Sequence, residues 1–196
     1  MALIETVGMR QRILHEASLL FTRSGYSAIS MREISKACGI TKAALYYHFI
    51  DKEDLIVAIL TENLAEIGRL IRVCRETENS ARGRLTAFMR AVFAEPVEQR
   101  AAIRLASQEM PNLSPQARVD FGQLYQNDFL GPLAEMLAEG MRAGELRLAD
   151  PHQLVWVLLG MMYPFFYPNP ERQSGLDEVI DLMIVVFFDG ISHRDS

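Results

Sequence analysis

The run Ser30 to Leu55, SMREISKACGITKAALYYHFIDKEDL, constrains this chain more than any other stretch, because it sets helix starts and a helix stop at fixed spacing. Ser30 and Glu33 stand in the relation of a capping box, so a helix is predicted to begin at Met31. Met31, Ile34, Ala37 and Cys38 recur at helical spacing as one apolar face, with Arg32, Glu33, Ser35 and Lys36 on the wet side. Gly39 stops that helix by accepting a positive φ. Thr41 then caps a second helix, Lys42 to His48, after a link short enough for two helices to meet steeply. Leu45 and Phe49 point inward. Lys42, Ala43, Ala44, Tyr46, Tyr47 and His48 remain outside as a small, basic and aromatic surface. Asp51 caps a third helix, and Lys52 stands at its positive end, where free amides and the dipole favour a phosphate.

On Ser30, Ile34, Ala37, Gly39, Ile40, Thr41, Leu45, Tyr46, His48, Phe49, Lys52 and Leu55 the chain resembles the TetR-like family of bacterial transcriptional repressors. The resemblance covers about residues 6 to 55, and beyond them only the architecture is similar. It implies a reading helix in the major groove, with Tyr46, His48 and Lys52 on phosphates and the side chains near Lys42, Ala43 and Ala44 facing base edges. Ser30, Arg32, Thr41 and Tyr47 complete the expected DNA-binding set. The chain departs from the family pattern at Ala43 and Ala44, where Gly followed by Thr or Ser is frequent. Ala44 offers no hydrogen bond, so specificity there comes from a thymine methyl or from DNA shape.

The chain carries a net charge of −5, which at first argues against nucleic acid. Its distribution removes the objection. Residues 1–50 hold six Lys/Arg against three Asp/Glu, and the remainder fourteen against twenty-two, so the basic part is the reader and the acidic part faces away from the duplex. Cys38 and Cys74 lack paired spacing, which leaves reduced thiols and a cytoplasmic protein as the expectation. No secretory leader and no membrane span are expected: Leu154 to Tyr167 is too short and contains Pro164.

The pattern is helical throughout, giving an all-α chain with a three-helix helix-turn-helix domain at 1–51 and a helical ligand-binding and dimerisation domain at 52–196. Helices are predicted from about Thr6 to Ser24, Lys52 to Arg75, Arg84 to Ala94, Val97 to Glu109, and Pro115 to Ala143, with Asn79, Ser80 and Gly83 marking a break after Arg75. Gly131-Pro132 should kink or split the last of these. Gly140 and Gly144 resemble a small-residue packing motif, but at a helix end they are read as its termination. Two more helices are expected, His152 to about Phe166 and Leu176 to Asp189, separated by the proline-broken segment from Tyr167.

Those final helices are apolar nearly all round, and a helix apolar all round is buried all round. Two such elements at one end of so small a chain suggest that a second copy covers one flank, as a four-helix bundle does; the alternative is that they fill the body of a monomer. Trp156, Leu159, Tyr163, Ile180, Met183, Ile184 and Phe187 are the expected dimer contacts. Between reader and dimer helices the chain is rich in Met and Phe, which adapt to a hydrophobic guest as well as they fill a core. Phe88, Met89, Phe93, Arg104, Met110, Phe121, Tyr125, Phe129, Met136, Met162 and Phe166 are the candidate ligand contacts, with Arg90 and Gln108 as further polar anchors. Tyr163, Phe165, Phe166 and Tyr167 edge either the pocket or the bundle.

Catalysis finds no foothold: there is no phosphate loop, no nucleophile elbow, and His15, His48, His152 and His193 are scattered. No cofactor and no metal are expected. The resemblance and the pattern together imply a homodimeric repressor on a palindromic double-stranded DNA operator, released by a small hydrophobic effector. The alternative is a helical architectural DNA-binding protein without a ligand.

Overall fold

The computed structural model describes residues 2–166 and 175–191, so Tyr167 and His193 lie outside the described residues. Ten α-helices make up the described fold: α1 (Ala2–Ser24), α2 (Met31–Ala37), α3 (Lys42–His48), α4 (Lys52–Thr77), α5 (Ala81–Ala94), α6 (Val97–Glu109), α7 (Pro115–Tyr125), α8 (Gly131–Arg142), α9 (Pro151–Met162) and α10 (Leu176–Ile191). They group into two compact units, one of residues up to Asn63 with Ala101–Gly122, the other of Leu64–Arg100 with the residues from Gln123 onward. Helices α4, α6 and α7 thus contribute residues to both.

The first unit closes around Ile13, Ala17 and Phe21 of α1, Ile34 and Cys38 at α2, Leu45 and Phe49 at α3, and Leu55, Ile56 and Leu60 of α4, all buried. Each Ile, Leu and Phe among them contributes about 1.5–3 kcal/mol by leaving water. The α2 face differs from its predicted pattern at two residues: Ala37 is exposed and Ser35 is buried. Successive helical residues turn by about 100°, which carries Ala37 away from the line through Met31, Ile34 and Cys38 and brings Ser35 onto it. Burial costs Ser35 little, since its hydroxyl donates to the Arg32 carbonyl at 2.9 Å.

In the second unit, α5 begins earlier than the pattern predicts. Ser80 accepts from the Gly83 amide at 2.9 Å and so caps the helix at Ala81. Gly83 therefore sits in a first turn instead of breaking one. Between α7 and α8 the expected interruption takes the form of one π-helical turn, Gln126–Leu130, in which the Gly131 amide bonds the carbonyl of Gln126, five residues back. Pro132 has no amide for the carbonyl of Asp128, and the wider turn accommodates that missing donor. Gly144, at φ 75°, ends α8 as predicted, but Gly140 serves packing: a Cβ there would stand 2.5 Å from Cβ of Ala81. Glu139 of α8 joins Arg75 and Arg84, at 2.6 and 2.5 Å, tying the end of α4 and the start of α5 to one carboxylate. No helix of the described residues is long and apolar enough to cross a membrane.

Candidate nucleic-acid interface and the helical body

Each cap that the sequence prescribes around the reading helix is made. The Glu33 amide donates to Ser30 Oγ at 3.3 Å while the Ser30 amide donates to Glu33 at 2.7 Å. The Ser30 hydroxyl also donates to that carboxylate at 2.7 Å, and this bond first, then the one from the Ser30 amide, holds the Glu33 carboxyl below its ordinary value. Gly39 takes φ 64°, and its neighbour Ile40 donates back to the Ser35 carbonyl at 3.0 Å, closing the turn. Thr41 Oγ1 accepts from the Ala44 amide at 3.1 Å. Asp51 caps α4 through the Asp54 amide at 2.8 Å, and Asp54 answers by accepting from the Ile50 amide at 2.9 Å.

Leu45 is the single buried side chain of α3, so the rest of that helix is free to present itself. Thr41, Lys42, Ala43, Tyr46 and Tyr47 are exposed, Tyr47 by 80 %, while Ala44 and His48 are half-buried. Ser30 and Arg32 are exposed at the start of α2. The surface is pre-shaped: Lys42 Nζ lies 5.5 Å from the centre of the Tyr46 ring, and Tyr47 meets His48 edge to face at 5.3 Å. A base, a hydroxyl-bearing aromatic and a small methyl thus share one helix face. Lys52 stands differently from its neighbours, half-buried with Nζ 4.2 Å from the Tyr26 ring centre. Burial pulls its ammonium below the ordinary lysine value, against the opposing pull of Glu109 and Glu33. Two residues near this face went unsingled in the sequence: Arg10, whose guanidinium covers Phe49 at 5.2 Å, and Ile50, 81 % exposed.

The residues expected to line a pocket divide between the units. Arg104, Met110 and Phe121 belong to the first, where Arg104 Nη1 donates to Gln108 at 2.9 Å on an exposed face. Phe88, Met89, Phe93, Tyr125, Phe129, Met136, Met162 and Phe166 are all buried in the second. There the rings form a continuous chain: Phe88 to Phe129 at 6.4 Å, Phe129 to Tyr125 at 5.2 Å, Tyr163 to Phe166 at 5.6 Å and Phe166 to Phe93 at 5.8 Å. A hydroxyl pair, Tyr125 with Tyr163 at 3.2 Å, links its two halves. Burial first, then the adjacent Tyr163, pushes the Tyr125 phenol well above its ordinary value. Arg90 is engaged elsewhere, with Asp181 at 2.5 Å.

The expected dimer contacts also sort by position. Leu159, Ile180, Met183, Ile184 and Phe187 are buried within the protomer, Tyr163 is half-buried, and Trp156 is 52 % exposed. The apolar side chains that α9 and α10 leave in water are Trp156, Val157, Leu182, Val185 and Val186. They stand at i, i+1 on α9 and at i, i+3, i+4 on α10, in each case on the side opposite the one that packs inward. Periodicity alone cannot choose between two apolar stripes of one helix.

A capped helix-turn-helix presenting a basic, aromatic surface, joined to a helical body, defines a regulator that reads DNA. The model of bacterial regulatory proteins of the tetR family matches residues 13–59, and that of the tetracyclin repressor-like C-terminal domain matches 78–164. Together these span more than half of the chain, and the chain belongs to the TetR family. The HTH-type transcriptional repressor AcnR of Corynebacterium efficiens is 26 % identical over 181 residues, 90 % of this chain and 91 % of that one. The HTH-type transcriptional regulator AcrR of Shigella flexneri is 46 % identical over 61 residues, 31 % of this chain and 28 % of its own. Among solved structures, AibR in complex with isovaleryl coenzyme A and operator DNA superposes with a TM-score of 0.79 at 25 % identity, covering 92 % of this chain and 98 % of that one.

Proposed function

We propose that this protein is a cytoplasmic transcriptional repressor that binds a palindromic operator as a homodimer and is released by a small hydrophobic effector. The exposed face of α3, held by caps at both ends, carries the DNA-reading part of the proposal. Lys42, Ala43 and Ala44 face base edges, Tyr46, His48 and Lys52 engage phosphates, and Ser30, Arg32, Thr41 and Tyr47 flank them. The repressor role named for AcnR supports the direction of the response.

A second copy is the occupant proposed for the stripe Trp156, Val157, Leu182, Val185 and Val186, since two-fold pairing of one patch with itself buries it twice. The effector is proposed to place an apolar group in the aromatic chain around Phe88, Phe93, Tyr125, Phe129, Met136, Met162 and Phe166, with the isovaleryl group of the coenzyme A ester bound to AibR as support. The protein performs no catalysis and needs neither cofactor nor metal. Selection of duplexes from a randomised pool tests the reading: enrichment of one short palindrome is expected, and equal recovery of all sequences refutes it.

A further inference from the structure

Two carboxylates that touch no part of the reading helix tie distant pieces of the first unit together. Glu53, in the first turn of α4, accepts from both the amide and the hydroxyl of Ser114 at 2.7 Å each. Ser114 in turn accepts from the Ala117 amide at 3.4 Å, so the same serine starts α7. Glu109, buried at the end of α6, accepts from the Tyr26 amide at 3.4 Å and from Asn112 Nδ2 at 2.7 Å. Tyr26 lies in the link between α1 and α2, and its ring is the surface on which Lys52 rests. The corner between α6 and α7 is thereby fastened to the loop before α2 and to the start of α4.

A corner that only filled space would do so with apolar side chains. Taking carboxylates out of water is costly unless each oxygen finds donors; Glu109 is buried and Glu53 half-buried, and both find donors that include a main-chain amide of another element. One bond of each carboxylate fixes backbone, at Tyr26 or Ser114, and the other holds a side chain, of Asn112 or Ser114. A guanidinium or ammonium reaching a phosphate depends on backbone placed to within a fraction of an ångström.

We propose that Glu53 and Glu109 are positioning residues for DNA reading: they clamp the α6–α7 corner onto the Tyr26 loop and the start of α4, and so set where Lys52 stands for a phosphate. The inference rests on the DNA-reading assignment above. It makes residues Ala101–Gly122 part of the reader, although they lie far from it in sequence.

The test uses the full-length protein and the duplex it selects from a randomised pool, with affinity measured across salt concentrations. Glu109→Leu keeps the volume and removes the acceptor; it is expected to lower affinity ~10-fold and to flatten the salt slope by about one unit, as loss of one phosphate contact does. Glu109→Gln keeps an oxygen for the Tyr26 amide and is expected to stay within ~2-fold of wild type at unchanged slope. If Glu109→Leu does not fold, Glu53→Ala, which removes both bonds to Ser114 and leaves the Ser114 cap on α7 in place, is expected to cost ~3-fold with a native melting transition. Folded variants that match the wild type in affinity and slope overturn the clamp, and so does a Glu109→Gln protein as weak as Glu109→Leu. A wild-type protein that selects no duplex overturns the DNA reading itself, which separates the two failures.

Discussion

Val186 and Met183 stand three residues apart on one apolar helix, and a carboxylate at each is expected to do opposite things. Val186 is 55 % exposed in the protomer and Met183 only 5 %. Fully burying a valine is worth about 1.5–3 kcal/mol, so covering the exposed half by a partner contributes about 1 kcal/mol. Two-fold symmetry counts that loss twice, about 2 kcal/mol, which is ~30-fold in the dimer dissociation constant at about 1.4 kcal/mol per decade. Val186→Asp adds two unpaired charges to that loss, so ~30-fold is a floor. Met183→Asp instead puts an uncompensated charge inside the protomer, where a cost of several kcal/mol consumes much of a stability of about 5–15 kcal/mol. Sedimentation velocity across micromolar concentrations, with circular dichroism on the same samples, separates the cases. Val186→Asp should sediment as a helical monomer, and Met183→Asp should lose its cooperative melting transition. A Val186→Asp dimer as tight as the wild type refutes the assignment of the exposed stripe to a second copy.

Gly39→Ala should lower the melting temperature by a few degrees through backbone strain of ~1–2 kcal/mol alone, because the new methyl would meet only Arg12 Nη2 at 3.8 Å while φ stays at 64°. Lys42→Ala and Ala44→Ser should change which duplexes are selected more than how tightly any duplex binds, which a repeat of the randomised selection reads directly. Tyr125 is raised by burial above its ordinary value of 10.0, so the folded state holds a proton that the unfolded chain releases. Stability contributed this way is unaffected below pH 10 and falls as pH rises beyond it, by up to ~1.4 kcal/mol per pH unit, and Tyr125→Phe should flatten that alkaline loss in denaturant titrations. The same substitution leaves Tyr163 without its hydroxyl partner and should weaken the effector response while ligand-free DNA binding is retained.

Local signals were legible wherever one stretch of chain decides the outcome. Ser30 with Glu33, Gly39, Thr41 and Asp51 speak only to backbone a few residues away, and each does what its spacing prescribes. Gly83 and Gly140 misled because a glycine reads as punctuation until its surroundings are known. Ser80 supplies a cap that admits Gly83 to a first turn, and Gly140 is small because Ala81 of another helix presses on it. The apolar helices at the C-terminus were legible as helices but not in orientation, since Met183 and Val186 carry equal apolar character. Partnerships across long separations were not legible at all: nothing near Ser114 announces Glu53, and nothing near Tyr26 announces Glu109. Lys52 was read correctly as standing at a helix start, yet the ring beneath it comes from the loop before α2.

Footprinting on the selected duplex, with the stoichiometry of the complex measured by light scattering, tests the proposed DNA-reading dimer most directly. Two protomers should protect one site whose half-sites are related by two-fold symmetry and centred about one helical turn, ~34 Å, or a multiple of it apart. Uniform protection along any duplex, or one protomer on an asymmetric site, contradicts it.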